Sequence, residues 1–280
     1  MEWLEDHTIP IGRWAKIFVD WLTDDFGWLF DGISYLISHL IDALLWCLQA
    51  PHPLIVVAVF GAVTWLLRRK MAPVALTVIG FLFIINQDYW EETTETLALV
   101  IAATAVCMLI GVPLGIAAAR RKWLYSILRP ILDLMQTIPT FVYLIPALIL
   151  FGLGMVPGLI STVIFAIPAP VRLTRLGIAA TPTPLKEAAL AFGATKGQVL
   201  TKIELPYALP QIMAGLTQTI MLSLSMVVIA ALVGADGLGV PVVRALNTVN
   251  VAKGFEAGLC IVILAIVLDR MFRTEGEEAQ

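Results

Sequence analysis

Charged residues are scarce: Asp, Glu, Lys and Arg make up 14% of the 280 positions, where a soluble domain carries about 25%. With 59% apolar residues and a mean hydropathy of +0.90, the chain reads as an all-α polytopic membrane protein whose apolar runs leave no room for a soluble domain. Cysteines are few and scattered, at Cys47, Cys107 and Cys260. They have neither disulfide-framework nor metal-site spacing, so small buried side chains are the plain reading and no metal is expected. A GxxxxGK[ST] phosphate loop is missing. The nearest string, GATKG at 193–197, has the wrong spacing, so Lys196 is no phosphate lysine and no catalytic residue is expected. The net charge of -3 and the lack of a basic aromatic groove argue against nucleic acid. The start MEWLEDHTIP followed by RWAKIFVDW lacks the pattern of a signal peptide, so the first internal spans are expected to target the chain.

What is present is a series of long apolar runs. A helical span takes about 17–25 residues, and the runs predict seven, at 52–68, 71–87, 96–118, 131–152, 157–173, 208–234 and 255–271. Leu134 to Val171 holds no charge, too long for one ordinary span, and GLGMVPG in its middle supplies a reversal. The basic clusters at 68–70 and 120–122, with Arg172, Arg175, Lys186, Lys196, Lys202, Arg270 and Arg273, then fall on one side. That side is the cytoplasmic one. DYWEETTE at 88–95, the GLGMVPG turn and 235–254 fall on the other. In ISYLISHLIDALLWCLQ, Ser34, Ser38 and Asp42 share one helical face, which suggests an interfacial helix and an N-terminus outside. An eighth span there would put the acidic N-terminus inside. The expected organisation is an acidic, amphipathic segment 1–51, accessory spans in 52–95, a core at 96–272 with a polar loop at 182–206, and a cytoplasmic tail at 273–280.

That polar loop reads KEAALAFGATKGQVLTKIELPYALP from Lys186 to Pro210. Pro182 and Pro184 stop the preceding helix, and Leu185 to Phe192 reads as a short helix with small Ala188, Ala189 and Ala191. Gly193 permits a turn. A second short helix is expected from Thr195 to Ile203, with Leu205-Pro206 redirecting the chain into the sixth span. Physics alone leaves two readings: a lever that passes displacement to the next span, or a solvated connection.

The stretch EAALAFGATKGQVLTKIELP resembles the coupling-loop signature of permease subunits of binding-protein-dependent ABC importers: Glu-Ala-Ala, three residues, Gly, nine residues, Ile-x-Leu-Pro. Glu187, Ala188, Ala189, Gly193, Ile203, Leu205 and Pro206 match at every position. TLALVIAATAVCMLIGVPLGIAAAR (96–120), RPILDLMQTIPTFVYLIPALILFGLG (129–154) and QTIMLSLSMVVIAALVGADGLG (218–239) are similar to the quaternary-amine subgroup, which imports glycine betaine, proline betaine, choline or carnitine. The resemblance implies a type I importer permease in a bacterial inner membrane, working by alternating access. Its implied partners are a second permease copy, cytoplasmic subunits that bind ATP and Mg, and a substrate-binding protein outside; this chain would bind no cofactor.

Polar residues within the spans mark a candidate path: Gln136, Thr137 and Thr140 in the fourth, Gln218, Ser223 and Ser225 in the sixth. Simple helix packing explains any one of them as well. Asp236, at the outer end of the sixth span, is a candidate outer gate or receptor contact, or a solvated helix end. Trp65, Tyr143, Phe151 and Phe165 are too dispersed for an aromatic box, so cargo selection is left to the receptor. An ion-coupled secondary carrier would need a buried acidic residue in its central spans. A structural membrane subunit would leave the loop spacing unexplained.

Overall fold

The computed structural model describes residues 10–273, and every regular element in it is helical. The acidic N-terminal residues 1–9 and the tail beyond Arg273 lie outside the described residues. Helix α1 (Ile11–Gln49) is followed by α2 (Pro53–Arg68) and α3 (Met71–Asn86). Then come α4 (Trp90–Arg120), α5 (Lys122–Thr137), α6 (Thr140–Phe151), α7 (Met155–Ala166) and α8 (Pro168–Ala179). The remainder is α9 (Thr183–Ala191), α10 (Lys196–Val199), α11 (Leu205–Ala230), α12 (Gly239–Asn247) and α13 (Val251–Phe272).

A hydrocarbon core offers no hydrophobic drive between helices, so close backbone approach through small residues has to supply packing. The centre of the bundle follows that rule. Gly111 and Gly115 on α4 lie against Pro170, Val171 and Thr174 of α8. Gly177 of α8 lies against Ala208 and Gln211 of α11, and Gly215 of α11 returns to Pro170. Helices α7 and α8, continuous over Met155–Ala179, are thereby held between α4 and α11. Helices α3 and α13 close one flank, where Gly80 meets Ile263 and Val267.

Among the described residues, five helices are long and apolar enough to cross a membrane: Ile11–Gln49, Trp90–Arg120, Met155–Ala179, Lys196–Val233 and Val251–Phe272. The pair α5–α6 makes a sixth if counted as one span. Three sequence expectations change. The single span at 131–152 is two helices meeting at 96°. Pro139, with no N–H, cannot continue the ladder, and it forces Ile138 into an extended conformation (ψ 129°). Helices α2 and α3, of 16 residues each, are about 24 Å long. Helix α1 passes the length and composition test for a span. Its half nearest α2 buries Ile37, Ile41 and Leu48, with Ile37 and Ile41 against Ala102, Ala103, Val156 and Leu159. Its first half leaves Trp14, Phe18, Trp21 and Trp28 exposed.

The fourth change is at the junction with α11. Leu205-Pro206 does not redirect the chain. The helix beginning at Lys196 runs to Val233 as one body of 38 residues, through a π-helical turn at Leu200–Glu204 in which Leu205 N–H donates to Leu200 O, five residues back. The wider turn leaves room for the Pro206 ring, which would clash with a carbonyl in a regular α-helix.

The two ends of the bundle differ in their balance of charge, although Glu204 and Asp133 lie among the basic groups of one end and Arg244 and Lys253 among the acidic groups of the other. One end carries Arg120, Arg172, Lys186, Lys196 and the contact of Arg68 Nη1 with Arg273 O. The other carries Asp88, Glu91, Glu92, Glu95 and Asp236.

Candidate functional site

At the basic end, the segment from α8 to α11 is shaped by local hydrogen bonds. Pro184 lies in the first turn of α9, where its missing N–H breaks no helical bond. The helix closes on Gly193, whose φ of +81° suits glycine. Ala194 N–H donates to Ala189 O at 3.0 Å and Gly193 N–H to Leu190 O at 3.0 Å, satisfying two terminal carbonyls in a Schellman closure. A capping box opens α10: Gln198 N–H donates to Thr195 Oγ1 (3.3 Å) and Thr195 N–H to Gln198 Oε1 (2.8 Å). The result is a hairpin of two short helices, the second continuous with a membrane-spanning helix.

The hairpin stands away from the bundle. Glu187, Ala188 and Gly193 are exposed, Ala189 is half-buried, and no side chain of α9 is fully buried. Leu185 and Leu190 are about half exposed and Phe192 is 93% exposed. Ile203 and Leu205 are half-buried at the root and Pro206 is exposed. The matched loop residues thus divide into an outward group that can meet a partner and a root that enters α11.

Beneath α9 is a cavity of about 310 Å³ lined by Arg120, Lys186, Leu190, Lys196, Val199 and Glu204. Arg120 Nη2 donates to Glu204 Oε2 at 2.7 Å and to Lys196 O at 3.2 Å. Sequence reading missed this pair, since Glu204 occupies the unspecified position of Ile-x-Leu-Pro. Beside it, Arg172 of α8 donates to Asp133 (2.6 Å) and Gln136 (2.9 Å) of α5. Arg175 stacks its guanidinium 3.5 Å from the centre of the Tyr125 ring. Capping box apart, only partners distant in sequence make these contacts.

The candidate path residues do not gather in one place. Gln136 is engaged by Arg172, while Thr137 and Thr140 flank the 96° bend. On α11, Gln218 and Ser225 lie on an exposed stripe with Gln211, while Ser223 faces the interior without a hydrogen-bond partner. Ser225 donates back to Met221 O; Gln211 and Gln218 make no side-chain hydrogen bond within the described residues.

At the acidic end, Asp236 is exposed and lines a cavity of about 220 Å³ with Glu91, Glu92, Glu95 and Arg244. A neighbouring cavity of about 390 Å³ is lined in part by Tyr89, Glu92, Arg244, Asn250 and Lys253. Burial raises the Tyr89 phenol above its ordinary pKa despite the pull of Lys253, so it stays neutral at physiological pH. Thr96 ties down the loop after α11: its Oγ1 accepts from Leu238 N–H (2.9 Å) and donates to Glu92 O (2.8 Å). Among the described residues no group of three or more His, Cys, Asp or Glu is arranged to hold a metal.

The model of the family described as "Binding-protein-dependent transport system inner membrane component" matches residues 111–274. The glycine betaine/carnitine transport permease GbuB of Listeria monocytogenes is 46% identical over 277 residues, 98% of each chain. The glycine betaine permease OpuAB of Bacillus subtilis is 45% identical over 94% of this chain and 93% of its own. The glycine betaine/proline betaine permease ProW of Escherichia coli is 40% identical over 97% of this chain and 77% of its own. Among solved structures, an inward-facing form of the MetNI methionine ABC transporter superposes with a TM-score of 0.57 at 25% identity, covering 63% of this chain and 89% of that one. The matched region holds the hairpin, its root and the α4–α8–α11 packing, and the chain belongs to the binding-protein-dependent transport system inner membrane components, as a permease subunit of an ABC importer.

Proposed function

We propose that the chain is one of two identical permease subunits that import a quaternary ammonium osmolyte, with glycine betaine as the favoured cargo. All three relatives above are named for glycine betaine transport, which favours it over choline. In this reading the basic end is cytoplasmic and the acidic end faces the receptor. Separate ATPase subunits bind ATP and Mg. Their closure displaces the hairpin formed by Thr183–Ala191 and the start of α10, and the displacement passes into α11.

The observation that carries the reading is the continuity of Lys196–Val233. A hairpin whose second arm runs on into a membrane helix passes its displacement to that helix as far as the intervening turn at Leu200–Glu204 is held. A solvated connection would have no need of such stiffness. The matched residues Glu187, Ala188, Ala189 and Gly193 supply the contact surface, and Ile203, Leu205 and Pro206 the root. The chain makes and breaks no covalent bond; its work is to change which end of the path is open.

The path is assigned to the exposed stripe of α11 with Gln218 and Ser225, together with Thr137 and Thr140 at the bend between α5 and α6. Gln136 and Ser223 are better read as structural, the first through Arg172 and the second through burial. Asp236 sits where it can meet receptor or incoming cargo. Seven spans remain the proposed count: α2, α3, α4, the bent α5–α6 pair, α7–α8, α11 and α13. Helix α1 is assigned to the membrane interface on its exposed tryptophans.

The test is uptake of radiolabelled glycine betaine and choline into proteoliposomes containing the chain and its copurified ATPase, with receptor outside and ATP inside. Uptake that requires both ATP and receptor, and prefers glycine betaine, is expected. Uptake by the chain alone on an ion gradient would replace the importer by a secondary carrier.

A further inference from the structure

We infer that Arg120 and Glu204 form a latch that makes the coupling hairpin and α4 move together, and that both are positioning residues for transport. The inference rests on the reading of residues 182–206 as the loop that meets the ATPase.

The geometry has three parts. First, the pair joins elements that the chain separates by 84 residues: Arg120 is the last residue of α4, and Glu204 is the last residue of the π-helical turn. Second, the Glu204 side chain is 9% exposed and that of Arg120 36% exposed. A carboxylate withdrawn from water in this way needs its partner, because removing one member leaves the other buried without compensation. Third, the same Arg120 nitrogen reaches Lys196 O, so one guanidinium holds both the start of α10 and the end of the π turn. Those are the two ends of the segment that a push on α9 would have to bend.

A π turn shifts the hydrogen-bond register of a helix and occurs mostly as a single bulge at functional sites; here it is the irregular turn between the hairpin and α11. Left alone, the turn at Leu200–Glu204 could absorb a displacement of the hairpin instead of passing it on. Arg120 braces it on both sides. Because Gly111 and Gly115 anchor α4 to α8, the braced turn also ties the hairpin to the centre of the bundle. The cavity of about 310 Å³ on the other side of the pair leaves α9 room to approach without breaking the latch. Lys186 and Lys196 line the same cavity.

A structural ion pair and a transmission device differ in one measurable quantity, the number of ATP molecules hydrolysed per osmolyte imported. Loss of a structural contact lowers both rates in proportion as the active fraction falls. Loss of a brace leaves ATP turnover running ahead of transport. The experiment uses the whole receptor-dependent complex in proteoliposomes, comparing wild type, Glu204→Gln, Arg120→Lys and the reversed pair Arg120→Glu/Glu204→Arg. For Glu204→Gln the ratio of ATP hydrolysed to glycine betaine imported is expected to rise about fivefold or more, the lower bound for an energetic coupling between sites. The reversed pair is expected to bring it back toward wild type. An unchanged ratio, or no recovery in the reversed pair, overturns the latch.

Should Glu204→Gln fail to assemble, Arg120→Lys keeps the charge while removing the forked donor. It is expected to show a smaller rise, and an unchanged ratio overturns the latch again. A photoactivatable thiol reagent on Ala188→Cys, in a Cys47→Ser background, separates the two levels of the argument. Absence of any cross-link to the ATPase overturns the loop reading and the latch with it. A cross-link together with an unchanged Glu204→Gln ratio overturns the latch alone.

Discussion

A single threonine shows how much of this architecture rests on one side chain. Thr96 accepts the N–H of Leu238, which is fully buried, while its own proton goes to Glu92 O. Gly237 packs so closely on Thr96 that a β-carbon there would lie 2.6 Å from Oγ1. Valine has the same shape but cannot accept. Thr96→Val is therefore expected to leave the Leu238 amide buried and unpaired, at a cost of about 1–3 kcal/mol. The purified chain should melt at a lower temperature in detergent, with Thr96→Ser retaining most of the lost stability. Equal melting of Thr96→Val and wild type would mean that the loop after α11 finds another acceptor. The same logic explains misleading polar residues. Ser38 looks like part of a wet face, yet its hydroxyl donates to Ser34 O at 2.5 Å, satisfying the group inside its own helix.

Between elements, the controlling feature is how closely backbones approach. A β-carbon at Gly115 would fall 2.7 Å from Val171 O and 2.7 Å from Thr174 Cβ, inside the contact distance of atoms that cannot swing away. Gly115→Ala is expected to separate α4 from α8 and destabilise by about 1–3 kcal/mol, as overpacking does. Gly27 on α1 has nothing within 4 Å of the same position. Gly27→Ala is expected to stabilise by about 0.5–1 kcal/mol, by lowering the chain entropy lost on forming the helix. Opposite shifts in melting temperature for the two alanines would support this packing; shifts of the same sign would count against it. Much of this was legible in advance. Apolar runs predicted α4, α7–α8, α11 and α13, and the loop spacing located the hairpin. Pro139 and Pro146 marked places where the ladder of the fourth span could break, but a bend as large as 96° was not legible, because the charge-free run around Pro139 reads as one span. Nor was the π turn at Leu200–Glu204, which no local residue pattern announces. Helix α1 was ambiguous for a physical reason: Ile37, Ile41 and Leu48 bury one narrow stripe, while Trp28, Leu36 and Trp46 remain outside. Arg120 with Glu204 and Arg172 with Asp133 could not be paired from sequence, since long-range contacts depend on the packing of helices first.

For the whole molecule, the informative feature is a stripe that one chain leaves uncovered. Gln211, Gln218, Ser225 and Leu232 recur at every seventh position along Lys196–Val233, and all are exposed. Seven residues are almost two turns, so the four side chains lie along one line. An amide facing lipid would lack hydrogen-bond partners at a cost of several kcal/mol, and Gln218 lies midway along α11. Contact with water or a second copy would satisfy this line, and that is the physical ground for the proposal that the path runs along it between two chains. The expectation can be read by cysteine labelling in a Cys47→Ser background: Cys107 and Cys260 are buried as expected, but Cys47, read from sequence as a third buried side chain, is exposed on α1. In the assembled, reconstituted importer, Gln218→Cys is expected to react with a charged, water-soluble thiosulfonate and to be protected by glycine betaine. Ser223→Cys, on the buried side of α11 about one and a half turns further on, is expected to resist it. Reaction of Gln218→Cys only with a lipid-soluble maleimide would put the stripe against the bilayer and move the path elsewhere. Equal labelling of both positions would mean that α11 does not keep this face during transport, and a rigid helix driven from its hairpin would then be the wrong description of the motion.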